Sequence, residues 1–396
     1  MSTLGEARNL RGPFAGQGSG LPARIGINAV FLEPGMGGLD TYVRELLPAM
    51  LELAPAVRFT VFCTEVGKRH LAREPWAAEV ALLTHPLLGR RGLRALTELS
   101  VLGALAGRRV DLLHSVALTA PLRTRAVNVV TIADVTWLLG PAPDMTTRLW
   151  RLVVPAVARR ADRLIAISEA SARDIEEHLD VPRDRIDVTL LGHRLQSRAA
   201  ALPEAEVRAR CSLGSGPIVL TVGTRKPHKN LVRLVQALPA VLERVPDAQL
   251  VLCGNPTSHE PELRAEIARL GLDRSVALLP FVEHDELEGL YAAASCFVLP
   301  SLNEGFGLPI LEAMGRGLPV ACSDLSAVPE VAGSAARYFD PLDVGAIAQA
   351  IIDLLEDRQS ARRLAAQGRR HAGAFTWERT AQATLQSYER AWLLRR

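Results

Sequence analysis

From residue 24 onward, short apolar, β-branched runs alternate with stretches whose apolar positions recur at helical spacing. The runs at 24–30, 58–63, 110–114, 127–132, 163–167 and 186–190 read as strands. An alanine-rich polar gap follows at about 196–212, and the rhythm restarts at 217–222, 248–253, 275–279, 295–299 and 319–322. Amphipathic helices lie between the strands, for example 230–244 and 346–356. Strands that are apolar throughout are covered on both faces, as in parallel sheets wrapped by helices. Two such series imply an α/β chain with two Rossmann-like, doubly wound parallel-sheet domains. The expected partition is 22–195 and 213–373, joined by a linker at 196–212 and followed by a helical segment at 374–396. Residues 1–21 are rich in Gly, Arg and Ser without a hydrophobic segment, and read as a disordered leader rather than a signal peptide.

In doubly wound sheets ligands bind beyond the C-terminal ends of the strands. Four loops in such positions carry unusual residues: Gly35-Met36-Gly37-Gly38, Ala133-Asp134, the basic run from Gly223 to Asn230, and residues 300–312. Two fall in each half, which implies domains facing across a cleft with a ligand bridging them. The 300–312 stretch is the most informative. A strand from Ser295 to Leu299 enters a loop carrying Glu304, Gly305 and Gly307. A helix then starts near Pro309, with Glu312 expected in its first turn. The glycines let backbone approach a ligand, and the free amides of a helix N-terminus suit an anion. Two carboxylates beside an anion site make sense if they grip hydroxyls. A ligand with sugars on both sides of a phosphate group fits.

The 223–230 loop places Arg225, Lys226, His228 and Lys229 in one turn before a helix. These charges repel one another unless an anion is present; the alternative is a solvated basic turn. Neither a Walker loop nor the Gly-x-Gly-x-x-Gly fingerprint occurs. Asp134 also reads as a turn or helix cap.

A length of 396 residues and 48% apolar content support two sizeable cores. Net charge is only +3, which gives no support to nucleic-acid binding. Charge is uneven: residues 90–160 hold eleven Arg against four acids, either a solvated face or a surface for anionic lipid at the inner face of the cell membrane. The five cysteines are scattered without a Cys-x-x-Cys pair, as in a reduced cytoplasmic protein. No apolar run reaches the roughly 18–20 residues of a membrane span. The histidines show no metal-ligand spacing.

Taken together, these residues resemble the retaining, GT-B-fold glycosyltransferases of family 4, glycosyltransferase group 1, in the mannosyltransferase-like branch that builds bacterial surface polysaccharides. The resemblance covers about residues 24–390. Gly37-Gly38 with Tyr42 is similar to that family's N-terminal glycine loop. Val222-Gly223-Thr224 through Pro227-His228-Lys229-Asn230 is similar to its phosphate loop. Glu304 and Glu312 fall on its paired glutamates. Ile167-Ser168-Glu169 with Arg173-Asp174, and Phe375-Thr376-Trp377-Glu378, match further landmarks. Where the family commonly has His-Asp, this chain has Ala133-Asp134, and Thr224 and His228 stand where basic residues are usual.

The resemblance implies transfer of a hexose, first GDP-mannose, to a hydroxyl of a lipid-linked or glycan acceptor, with no metal or cofactor. Lys229 and Arg225 would neutralise the diphosphate, approached also by Gly37 and Gly38. Glu304 would bond a hydroxyl of the transferred sugar and Glu312 the ribose. The amides of Gly305, Phe306, Gly307 and Leu308 would face sugar or phosphate, and the base would lie near Val282. Glu304, Asp134 and Lys229 are the expected catalytic residues, and the last helix would return to the N-terminal domain. A nucleotide-sugar epimerase, or a non-catalytic nucleotide-sugar-binding relative that lost the histidine at position 133, are the alternatives.

Overall fold

The structure, a computed structural model, describes residues 20–33, 37–88, 94–139, 145–193 and 201–395. The leader up to residue 19, Gly35, Met36, Arg90, Arg91, Asp144 and residues 194–200, which include the start of the expected linker at 196, lie outside the described residues. The chain forms two compact units. One comprises the chain up to Gly192 together with the segment from Trp377; the other is His193–Thr376.

The first unit holds β1 (Arg24–Asn28), β2 (Arg58–Cys63), β3 (Ala81–Thr84), β4 (Leu112–Ser115), β5 (Val127–Ile132), β6 (Arg163–Ala166) and β7 (Ile186–Val188). Their order in the sheet is β3-β2-β1-β4-β5-β6-β7, every pairing parallel. The second unit holds β8 (Ile218–Val222), β9 (Gln249–Cys253), β10 (Val276–Leu279), β11 (Cys296–Leu299), β12 (Val320–Ser323) and β13 (Arg337–Phe339). Their order is β10-β9-β8-β11-β12-β13, again all parallel. In each sheet the winding reverses beside the first strand, between β1 and β4 and between β8 and β11. Side chains and loops diverge there and leave a crevice.

The central strands are buried on both faces, which is why they read as unbroken apolar runs. β3 and β13, which the apolar pattern does not reveal, are half-exposed edge strands without such a run. The expected linker contains a helix, Glu204–Arg210, whose Val207 is buried.

Helices bury one stripe each. In Leu231–Arg244 that stripe is Leu231, Leu234, Val235, Leu238 and Val241, spaced three and four apart and packed on β8, β9 and β11 side chains. Full burial of one such Leu contributes about 1.5–3 kcal/mol. The last helix, Trp377–Leu394, belongs to the first unit. Its Tyr388 Oη lies 2.6 Å from His114 Nδ1, and Ser387 Oγ donates to Asp187 at 2.7 Å. Arg390 pairs with the same Asp187 at 3.0 Å.

Candidate functional site

The basic run follows β8 and the paired-glutamate segment follows β11, so the reversal of winding makes neighbours of two loops 75 residues apart in sequence. Lys229 closes a short 3-10 turn, Pro227–Lys229. Its side chain runs back over Gly223, where a Cβ would lie 3.7 Å from Lys229 Cε. Nζ reaches across to Glu304 and donates to Oε1 at 2.5 Å. Both side chains are largely buried, 15% and 10% exposed. Ser301 Oγ donates to the same oxygen at 2.6 Å. Burial alone would raise the Glu304 pKa, but the Lys229 charge and these hydrogen bonds outweigh it and hold the carboxyl below its ordinary value.

Two residues to which the sequence argument gives no role of their own fix the geometry. Asn230 sits in the left-handed region at φ 57 and donates from Nδ2 to the carbonyls of Pro300 (3.1 Å) and Pro341 (2.7 Å), tying one loop to the other. Ser326, at φ 58, donates to the Glu304 carbonyl at 2.8 Å and lies 3.3 Å from the Glu304 amide. Asn is enriched at such backbone angles, a usable signal for Asn230. Ser326 lies 22 residues beyond Glu304 and carries no signal.

The helix after this loop is Leu308–Gly315, with Gly307 at φ 101 as its N-cap and no side chain capping it. An L-residue there would be strained, and its Cβ would press on Ile310 at 3.3 Å. Phe306 is 3% exposed and packs edge-on against Phe375, so its ring is withdrawn from the surface of the loop. Gly305 and Leu308 are partly exposed beside it. Glu312 lies in the second turn, not the expected first, because the helix already starts at Leu308. Tyr291 Oη donates to Glu312 Oε2 at 2.9 Å, and Arg316 stacks over the Tyr291 ring at 4.6 Å while pairing with Glu288. Glu312 is thus held by a buried tyrosine that is itself clamped. Val282 is buried in the loop three residues beyond the end of β10, beside an exposed Phe281.

Arg225 departs from its neighbours. It is 4% exposed, pairs with Glu260 at 2.6 Å and donates to the Leu279 carbonyl, so its guanidinium anchors β10 and the segment after β9. In the first unit, Gly37 takes φ 63 as the exposed N-cap of Gly38–Leu53. Asp134 Oδ1 accepts from Thr136 N (2.9 Å) and Thr136 Oγ1 (2.5 Å), the capping role open to it from sequence. No group of three or more metal-ligating side chains forms among the described residues.

What the second unit assembles is a cation and a nearly buried carboxylate at an uncapped helix N-terminus, suited to an anion flanked by hydroxyls. The profile of "Glycosyl transferases group 1" matches residues 207–371, and that of "Glycosyltransferase Family 4" matches residues 36–195. An O-antigen chain mannosyltransferase B of Escherichia coli is 35% identical over 234 residues, covering 58% of this chain and 61% of that one. A D-inositol 3-phosphate glycosyltransferase of Nocardia farcinica is 31% identical over 292 residues, 72% of this chain and 62% of that one. The chain thus aligns with about three-fifths of the length of these curated relatives. Among solved structures, a sucrose-phosphate synthase from Thermosynechococcus elongatus superposes with TM-score 0.71 at 22% identity, covering 94% of this chain and 99% of that one. Anabaena HepE in complex with UDP-glucose gives TM-score 0.71 at 20% identity, covering 92% and 98%. At such identities these likenesses speak for the fold.

Proposed function

The chain belongs to the group 1 glycosyltransferases and has the GT-B fold, and on that premise we propose that it moves a hexose from a nucleotide-diphosphate sugar to a hydroxyl of a lipid-linked or glycan acceptor, with retention. The observation that carries this reading is the Lys229–Glu304 pair at the uncapped Leu308 helix. GDP-mannose is the proposed donor, a choice supported by the mannosyltransferase relatives.

Departure of the nucleoside diphosphate builds negative charge on the β-phosphate. Lys229 and the amides of Gly307 and Leu308 are aligned before that charge appears, which lowers the barrier most when they bind it best in the transition state. This positive charge would serve where other transferases use a metal ion. The donor displaces or shares the bond that now ties Lys229 to Glu304, and Glu304 turns to a hydroxyl of the transferred sugar. Glu312, oriented by Tyr291, takes the ribose, and Val282 lies against the base. Arg225 supports the loop from behind. For retention the acceptor hydroxyl attacks on the face the diphosphate leaves, and the diphosphate oxygen takes its proton.

Contact with an anionic membrane is part of the proposal. Arg108, Arg109, Arg123, Arg125, Arg148, Arg159 and Arg160 are exposed on the first unit. Met145 and Leu152, 74% and 76% exposed, share a helix with three of them. No helix among the described residues is long and apolar enough to cross a membrane. A second reading, a nucleotide-sugar-binding relative without turnover, draws on Asp134 being engaged as a cap beside Ala133.

Saturation-transfer NMR with a panel of nucleotide sugars tests the proposal. One donor binds, and Lys229→Ala weakens it by about 10- to 150-fold, the worth of one hydrogen bond to a charged group. A Lys229→Ala protein that binds donor normally would overturn the assignment. Binding without turnover on any acceptor, reversed by Ala133→His, would favour the second reading.

A further inference from the structure

The basic run after β8 does not act as one cluster. Lys229 goes to Glu304, whereas Arg225 and Lys226 line a separate cavity of about 350 Å³ shared with Asn230, Arg233, His259 and Glu262. Two unpaired positive charges face this space. Lys226 is exposed, and Arg233 donates only to the neutral Asn230 Oδ1, at 2.9 Å. Glu262, the one carboxylate of the lining, lies 3.5 Å from His259 Nδ1.

Two further features point to a missing partner. Arg225 is 4% exposed with Nη1 and Nη2 bonded, yet its Nε–H is buried without an acceptor. A buried unpaired donor is costly unless a ligand or water completes it. The first turn of Leu231–Arg244 also lines the cavity, and Asn230, at its N-cap, gives it no side-chain cap because both ends of its amide are engaged elsewhere. The amides of this 14-residue helix therefore add positive potential to the same space.

We infer that this cavity is a second anion site, which holds the phosphate group of a small phosphomonoester apart from the donor. Arg233, Lys226 and the first-turn amides bind the phosphoryl oxygens, with the Arg225 side chain in the same lining. At about 350 Å³ the space is near the lower end of ligand pockets, which suits a phosphorylated sugar or smaller rather than a nucleotide sugar.

Calorimetric titration of the full chain with inorganic phosphate and with a hexose monophosphate tests this. Both bind at one site per chain, and binding survives Lys229→Ala. It weakens at least tenfold in Lys226→Gln and further in Lys226→Gln/Arg233→Gln. Lys226 is exposed, so the single variant keeps its fold. Binding lost in Lys229→Ala but unchanged in Lys226→Gln would put the anion on the donor side and overturn the inference, as would no saturable binding. An ester that binds tenfold more weakly than phosphate would overturn the ligand class. The nucleotide-sugar panel on the same samples reads independently: phosphate binding without any donor would sink the transfer proposal and leave this one standing.

Discussion

His114 makes the first unit sensitive to acid in a calculable way. It sits on β4 with both ring nitrogens engaged, Nδ1 2.6 Å from Tyr388 Oη and Nε2 2.7 Å from Thr131 Oγ1. It is fully buried, and burial pushes its pKa from 6.5 down to about 3. The folded ring therefore stays neutral while the unfolded chain takes up a proton below about pH 6.5. Because the folded value is the lower one, stability is whole above pH 6.5 and falls as pH drops towards 3, by about 1.4 kcal/mol per unit. Between pH 7 and pH 5 this histidine alone costs about 2 kcal/mol. His114→Gln keeps a donor and an acceptor but cannot titrate. The assay is denaturant unfolding of both proteins at pH 7 and pH 5. The difference between their losses isolates His114 from the other histidines. His114→Gln starts less stable at pH 7 by about 1 kcal/mol for each weakened bond, and loses about 2 kcal/mol less on acidification. Equal losses in the two proteins would refute the argument.

Glu304→Gln frees Lys229 from its ion pair, so nucleoside diphosphate binds roughly tenfold tighter by calorimetry while transfer falls by about 100-fold or more. A variant weakened in both would mean that Glu304 positions Lys229 instead of competing for it. At Gly254, φ 152, an added Cβ would lie 2.0 Å from the Gly223 carbonyl oxygen, a backbone atom that cannot swing away. Gly254→Ala therefore destabilises by about 2 kcal/mol or more and loosens the Lys229 loop; an unchanged melting temperature would contradict this. All five cysteines are buried, and burial lifts Cys63, Cys253 and Cys296 to about 12 and Cys211 to about 11. A thiol reagent at pH 8 should label none in the native protein and all after unfolding. Rapid native labelling of any one would show that its site opens.

The architecture was legible because parallel strands covered on both sides must be apolar throughout, and eleven of the thirteen strands among the described residues announced themselves that way. β3 and β13 did not, since an edge strand needs only a few inward residues. At the site, types and spacing marked Lys229, Glu304 and Glu312, but not the division of labour in their neighbourhood. Arg225 and Lys229 look equivalent in sequence. Which of them meets Glu304 depends on the 3-10 turn at Pro227 and on Glu260, a partner 35 residues away. The His114 network left a trace, a histidine and a threonine inside fully buried strands. Its third member, Tyr388, lies 274 residues from His114, beyond any local reading.

The first unit is assembled from two pieces of chain, with all of His193–Thr376 made between them. At about 5–20 residues per second, a ribosome takes roughly 10–40 s to cross that interval. Through that time the seven-stranded sheet exists without Trp377–Leu394, and His114 and Asp187 wait for Tyr388, Ser387 and Arg390. The second unit, contiguous in the chain, can finish first. The usual order, in which what is made first folds first, is reversed here, and the nascent first half is the part that most needs shielding from aggregation.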